Sequence, residues 1–535
     1  MPRIALALAA TALISTALIS LTGPAAAEQS DQQTDQQLGN VHFATSCNEV
    51  AQRRFDRAMR YQHSFWYRQS QELFESVLQA DPDCGIAYWG IALSLWNNPH
   101  NQPPAPNLAP ALAAIEKGKT VGAKSERERD YINALAVLYT DYDKVDYNTR
   151  LQAYLKGMAA LAAKYPDDDE AQIAYAITLN VAASPADKTY ANQLKGAAIL
   201  EPIFQRLPQH PGVAHYLIHL YDYPAIADRG LDAAKRYAGI APAAPHAQHM
   251  PSHIFTRVGD WKDSIASNLA SVKAAKADRE GNEALHASDY LVYAYLQLGR
   301  DKDAAAAVDE MGHATEPNPD SFGGWFALAA SPARYAVERG DWRGAAQLPV
   351  RPNKFAHVMA ISHFARALGA ARSGDGEAAK ADVAKLAELR DKLRAAKNGY
   401  WATQVEIQYQ VASAWLLHQQ GKSDEALKAM QAAADAEDKT EKAPVTPGPL
   451  APARELLGAM LLEHGDAAGA LAAFEATLKK EPHRFNATAG AAAAADRLGD
   501  KAKATAYYEQ LIALADGSDS DRAALATAKQ YLAKN

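Results

Sequence analysis

The chain has 535 residues, 48% of them apolar and 22% charged, with a formal net charge of −7. That length allows several domains or one long repeat array. The acidic balance excludes a nucleic-acid partner or a polybasic membrane-surface protein, and two cysteines exclude a disulfide-rich or thiolate–zinc scaffold.

Residues 1–27 read as a cleavable secretory signal. Arg3 is the only charged side chain before Glu28, 4–21 is mainly apolar, and Gly23-Pro24 breaks that run before Ala25-Ala26-Ala27. Small residues at that place suit a signal peptidase. A permanent anchor is the competing reading, because 4–21 is nearly long enough to span a bilayer. Cleavage implies a periplasmic or secreted protein with no stable membrane insertion afterwards.

Residues 28–45 form a polar spacer, expected to lack structure. From 46 to 437 the pattern is helical throughout, with no alternating strand run. Cys47 and Cys84 each precede a helical pattern, one beginning near Glu49 and the other near Ile86. In an oxidising compartment a disulfide between them would staple the first helical unit to the second; two free thiols in apolar surroundings are the alternative. His63, with Trp66, Trp89 and Trp96, is expected to pack these first units. The proline-rich stretch 97–110 interrupts the second unit, either as a plain connection or as a cover over part of a groove.

The central repeats, about 211–316, carry the functional signal. Pro208 and Pro242 set one register, and the turns at Gly259 and Gly299 continue it, without use of any histidine. The first helix of the first unit then carries Gly212, His215, His219 and Asp222. The next carries His246, His249, His253 and Thr256, each 34 residues on, and the third His286, Asp289, Tyr293 and Leu296, each a further 40 on. Steps of three and four keep side chains on one helix face. Six histidines thus fall on twelve positions where composition predicts fewer than one. Imidazoles and carboxylates meeting on facing helices suit Zn, Cu or Fe. The expected ligand set is His215, His219, His246, His249 and His253, with His286, Asp222 and Asp289 as ligands or orienters. Two other readings stand beside it: a pocket for a polar or anionic ligand, and histidines that only bridge helices. The HYLIH segment lacks the glutamate of a zincin helix. Asp289 and Tyr293 are the nearest candidates for an acid, so no reaction is named. His357 and His363, six residues apart in a later repeat, fit a structural role.

Gly118-Lys119-Thr120 and Gly421-Lys422-Ser423 lack the earlier glycine and the preceding strand of a phosphate loop. There is no nucleophile elbow and no dinucleotide loop. Residues 438–452 read as a charged, then proline-rich linker before a C-terminal pair of repeats, 453–535. In that pair Gly465 maps to Gly499, Ala470 to Ala504 and Phe474 to Tyr508, each displaced by 34. Glycine ends a first helix, alanine sits where two helices cross, and the aromatic ring fills the space beside the crossing. This pattern resembles the tetratricopeptide repeat, and similar units recur over most of the chain. Within that superfamily the chain looks like exported bacterial proteins known only by their repeats. The resemblance implies an all-α, right-handed solenoid of helix-turn-helix units whose histidine stripe lines the concave groove. It also implies that a peptide or protein segment is a possible partner in that groove, which makes a non-enzymatic scaffold the alternative to a metal-dependent binding protein or enzyme.

Overall fold

A computed structural model of the chain describes residues 37–534. The signal reading of 1–27 lies outside the described residues. Among the described residues there is no strand, and helices pack on their neighbours in sequence as antiparallel pairs. First helices of successive units also pack on one another: Gly281–Gln297 on Phe322–Glu338, that helix on Ala356–Ser373, and that one on Gly399–Gln419. The result is an all-α solenoid of tetratricopeptide-like units.

The local causes are visible in the last two units. Gly465 and Gly499 turn the chain with φ of +86° and +74°, a region that costs a side-chain-bearing residue energy. The aspartate after each caps the following helix: Asp466 Oδ1 accepts from the Gly469 amide at 2.8 Å, and Asp500 Oδ1 from that of Lys503 at 3.1 Å. Ala470 and Ala504 are fully buried, with Phe474 and Tyr508 buried beside them.

Cys47 and Cys84 form a disulfide with Sγ atoms 1.97 Å apart, which ties the entry to Glu49–His63 to the entry to Ile86–Trp96. Three segments depart from a simple linear array. Residues 37–45, counted as polar spacer from composition, are part of the fold. Leu38, Val41 and Phe43 are buried, and the Asn40 amide donates to the Gln209 carbonyl at 2.9 Å. Three well-spaced apolar residues outweigh the polar character around them, because burying each releases about 2 kcal/mol.

The 453–534 region is two helix pairs closed by a further helix, Ala523–Lys534, and it folds back on the middle repeats. Trp261 Nε1 donates to the His483 carbonyl at 2.9 Å, and the Phe485 amide donates to Gln297 Oε1 at 3.0 Å. Of the stretch 438–452 read as a linker, Asp438 ends the helix Ser423–Asp438 and residues 439–452 pass between these parts as a largely buried strap. Glu441 accepts from Lys188 Nζ at 2.6 Å and from the Tyr190 hydroxyl at 3.0 Å. Arg334 donates to the carbonyls of Gly448 and Pro449, both at 2.9 Å. Charge and proline suggested solvent exposure; here Glu441 meets Lys188, Lys442 meets Asp222, and the prolines need no amide partner.

Candidate metal centre

The first histidine helix is Pro211–Tyr221, with proline at a first-turn position that needs no amide donor. The second breaks in two, Pro245–His249 and Pro251–Val258, because Pro251 has no N–H to continue the ladder. The third is Gly281–Gln297. His215 and His249 are completely buried and His253 is 1% exposed. The stripe therefore does not line an open groove. Phe65 covers it, its ring 4.3 Å from that of His215 and 5.2 Å from that of His246. His100, from the 97–110 loop, lies 4.3 Å from the ring of His219.

The eight predicted ligands do not make one shell. His215, His219 and His246 form one triad and His249, His253 and His286 another, each with its donor atoms within 4.8 Å of one another. His246 and His249 share the short helix Pro245–His249 and His253 lies beyond the break, yet His246 groups with the two histidines of the preceding helix while His249 and His253 group with His286. Within the triads, Nε2 of His219 is 3.1 Å from Nε2 of His215, and Nε2 of His249 is 3.0 Å from Nε2 of His253. Two imidazole nitrogens sharing a tetrahedral ion at about 2.05 Å lie roughly 3.3 Å apart, so both pairs have a metal-like bite.

Hydrogen bonding decides where the protons sit. Asn268 Nδ2 donates to the Ser264 carbonyl at 2.7 Å, so its Oδ1 is the acceptor facing His249 Nδ1 at 2.6 Å. Asp222 Oδ2 accepts from His253 Nδ1 at 2.9 Å. Both Nδ1 atoms carry hydrogen, which leaves both Nε2 atoms as bare lone pairs facing each other. Burial, then the neighbouring imidazoles, holds His249 well below the usual histidine range, and burial lowers His253 to about 4 despite the Asp222 bond. Neutral lone pairs at this distance repel unless a cation lies between them. In the other triad, His215 Nδ1 donates to the His63 carbonyl at 2.7 Å, so its Nε2 is bare as well. His246 turns Nδ1 to Glu283 at 3.2 Å, and its Nε2 is buried without a hydrogen-bond partner among the described residues.

A third cluster, His63, Glu170 and His210, behaves differently. Glu170 bridges the two rings, accepting from His63 Nε2 at 3.0 Å and His210 Nε2 at 2.9 Å. The remaining nitrogens accept from the Tyr216 hydroxyl and the Val213 amide. Every lone pair is used, and the cluster is complete without an ion.

The two aspartates part company. Asp222 stands behind His253 and also pairs with Arg257 at 2.8 Å and Lys442 of the strap at 3.0 Å. Burial alone would raise its carboxyl, but Lys442 and Arg257, with the His253 bond, hold it well below the carboxylate range. It is an orienter of His253. Asp289 belongs to neither triad: its Oδ1 accepts from Ser331 at 2.9 Å and Arg334 at 3.1 Å. Asp289 lies three residues, just under one helical turn, beyond His286 and faces the Phe322–Glu338 helix. Tyr293 is also elsewhere, donating to Glu481 at 2.9 Å. Sequence periodicity missed Phe65, His100, Glu283, Arg257 and Lys442, which come from outside the stripe; only the suggestion that 97–110 covers a groove pointed toward His100.

No protein-family model matches the chain, and no curated protein matches it. Solved structures similar to it include the human IFIT1 dimer with m7Gppp-AAAA, at 12% identity and TM-score 0.34, covering 91% of this chain and 99% of that one. The APC/C hetero-tetramer Cut9–Hcn1 is similar at 12% identity and TM-score 0.29, over 90% of this chain and 96% of that one. Yeast Tom70 is similar at 12% identity and TM-score 0.27, over 90% and 88%. Overlaps this loose carry no functional argument, and the fold description rests on the helix pairs themselves.

Proposed function

We propose that this is an exported solenoid protein that binds transition-metal ions through the histidines of its central repeats. The observation that carries the proposal is the facing pair of Nε2 atoms, 3.0 Å apart, on His249 and His253, whose Nδ1 atoms face the acceptors Asn268 Oδ1 and Asp222 Oδ2. Two neutral bases are oriented by Asn268 and Asp222 toward one point, as metal-binding imidazoles are oriented by the groups on their other nitrogen. Export is supported by the apolar run at 4–21 ending in Ala25-Ala26-Ala27, and by the Cys47–Cys84 disulfide, which suits an oxidising compartment. Metal analysis by mass spectrometry of untagged protein tests the proposal. Near-stoichiometric zinc, copper or iron is expected, and it should be lost from the His215→Ala/His249→Ala variant with the helical circular-dichroism signal retained. Metal-free protein that also refuses added Zn²⁺ and Cu²⁺ would refute it.

The strap favours a second reading as a peptide-binding scaffold. Tyr290, Arg334, Tyr400 and Lys188 all donate to backbone carbonyls between 440 and 449, as side chains reading an extended peptide would. In this structure the peptide is the chain's own. An external partner would have to displace it, and its binding would survive chelation.

A further inference from the structure

We infer that the two triads make one dinuclear copper centre, with His215, His219 and His246 on one ion and His249, His253 and His286 on the other. This rests on the metal-binding reading above and deepens it. Six imidazoles exceed the shell of one tetrahedral ion, and the donors group as three and three. The triads also adjoin: the rings of His219 and His253 are centred 6.0 Å apart, as are those of His246 and His249. Two ions held there are near enough for one small molecule to bridge them.

The donor set selects copper. Hard ions such as Mg²⁺ and Mn²⁺ require oxygen ligands, and neither triad has one; Asp222 and Glu283 stand behind His253 and His246, on Nδ1. Among ions that accept nitrogen alone, copper heads the affinity order. The triad histidines are mostly buried, and Glu283 behind His246 is the nearby carboxylate that no lysine or arginine matches among the described residues. Phe65 and His100 cover one side, Tyr290 packs 4.7 Å from the ring of His249, and Asp222 is already matched by Arg257 and Lys442. Two monovalent cuprous ions cost less to bury among neutral ligands than two divalent ions. Dioxygen is the bridging ligand such a pair takes: each cuprous ion gives one electron, O₂ becomes bound peroxide, and both ions become cupric.

The test loads the intact metal-free protein with cuprous copper under anaerobic conditions, then admits air. Two copper ions per chain are expected, with little or no electron-paramagnetic signal after oxidation, because adjacent cupric spins couple. His286→Asn and His246→Asn should each leave one copper, now with a full cupric signal, while Glu170→Gln in the saturated third cluster should keep both ions. Thermal melts of the three variants establish that they are folded. One copper in the unmodified protein, or two with uncoupled signals, overturns the dinuclear centre. Zinc retained against excess copper overturns the choice of copper and leaves the metal-binding reading intact. No metal of either kind overturns both.

Discussion

His357 is a histidine buried without use. Both ring nitrogens lack a hydrogen-bond partner among the described residues, and its ring stacks on Trp401 with centroids 4.3 Å apart. Burial lowers its pKa from 6.5 to about 3. The folded state therefore refuses a proton that the unfolded chain accepts, so stability is full above pH 6.5 and falls as pH drops toward 3. His357→Phe keeps the stack and removes both orphaned nitrogens. It should raise the unfolding free energy at pH 7 by about 1 kcal/mol and flatten its acid slope in denaturant titrations at several pH values. At Asp222 the expected sign is opposite. Asp222→Asn strips the charge that balances Arg257 and Lys442, at a cost of about 3 kcal/mol. It also releases His253 Nδ1 from its strongest acceptor, so metal affinity should fall about tenfold or more. Retained affinity in a competition titration would show that Asp222 does not orient the ligand.

At the scale of elements, the disulfide and the helix break matter most. The bond between Cys47 and Cys84 closes a loop with a sequence separation of 37. A loop of that size corresponds to about 3–4 kcal/mol of closure entropy in the unfolded chain. Cys47→Ser/Cys84→Ser should therefore loosen the first repeat before any other, seen as faster amide exchange across Glu49–His63 and Tyr67–Ala80. Unchanged exchange there would mean that the packing of Phe43, Phe55 and Trp89 suffices to hold that end. Helix identity was legible in the sequence, because periodicity of three and four, Gly-Asp turns and N-terminal prolines act within a few residues. The consequence of Pro251 was only partly legible. A proline there promises a break, but which triad His246 joins depends on where the neighbouring helix stands.

For the whole molecule, Arg484 is the principal cross-link. It is completely buried and pairs with Glu455 at 2.8 Å and Glu338 at 2.6 Å, and it donates to the Tyr293 hydroxyl at 2.9 Å. It thus joins the C-terminal pair to the middle repeats beside the strap. Arg484→Met leaves two buried carboxylates without their cation, at a cost of about 3–5 kcal/mol. Exchange protection should be lost together across 453–534 and the strap, with the first repeats unaffected. Uniform loss over the chain would instead indicate one cooperative unit.

The amino-acid sequence by itself determined the repeat: its length, its turns, its small and aromatic positions, and the six histidines concentrated on three first helices. These depend on residues near one another along the chain, where spacing dictates a shared face. Only the tertiary structure decided that the stripe divides into two triads, that Asp222 serves His253 while Asp289 serves Arg334, and that Phe65, His100 and Lys442 close over the site. Those partners are separated from the stripe by more than a hundred residues in sequence. Whether such residues meet depends on how the strap and the terminal segments fold back, and no local periodicity encodes that.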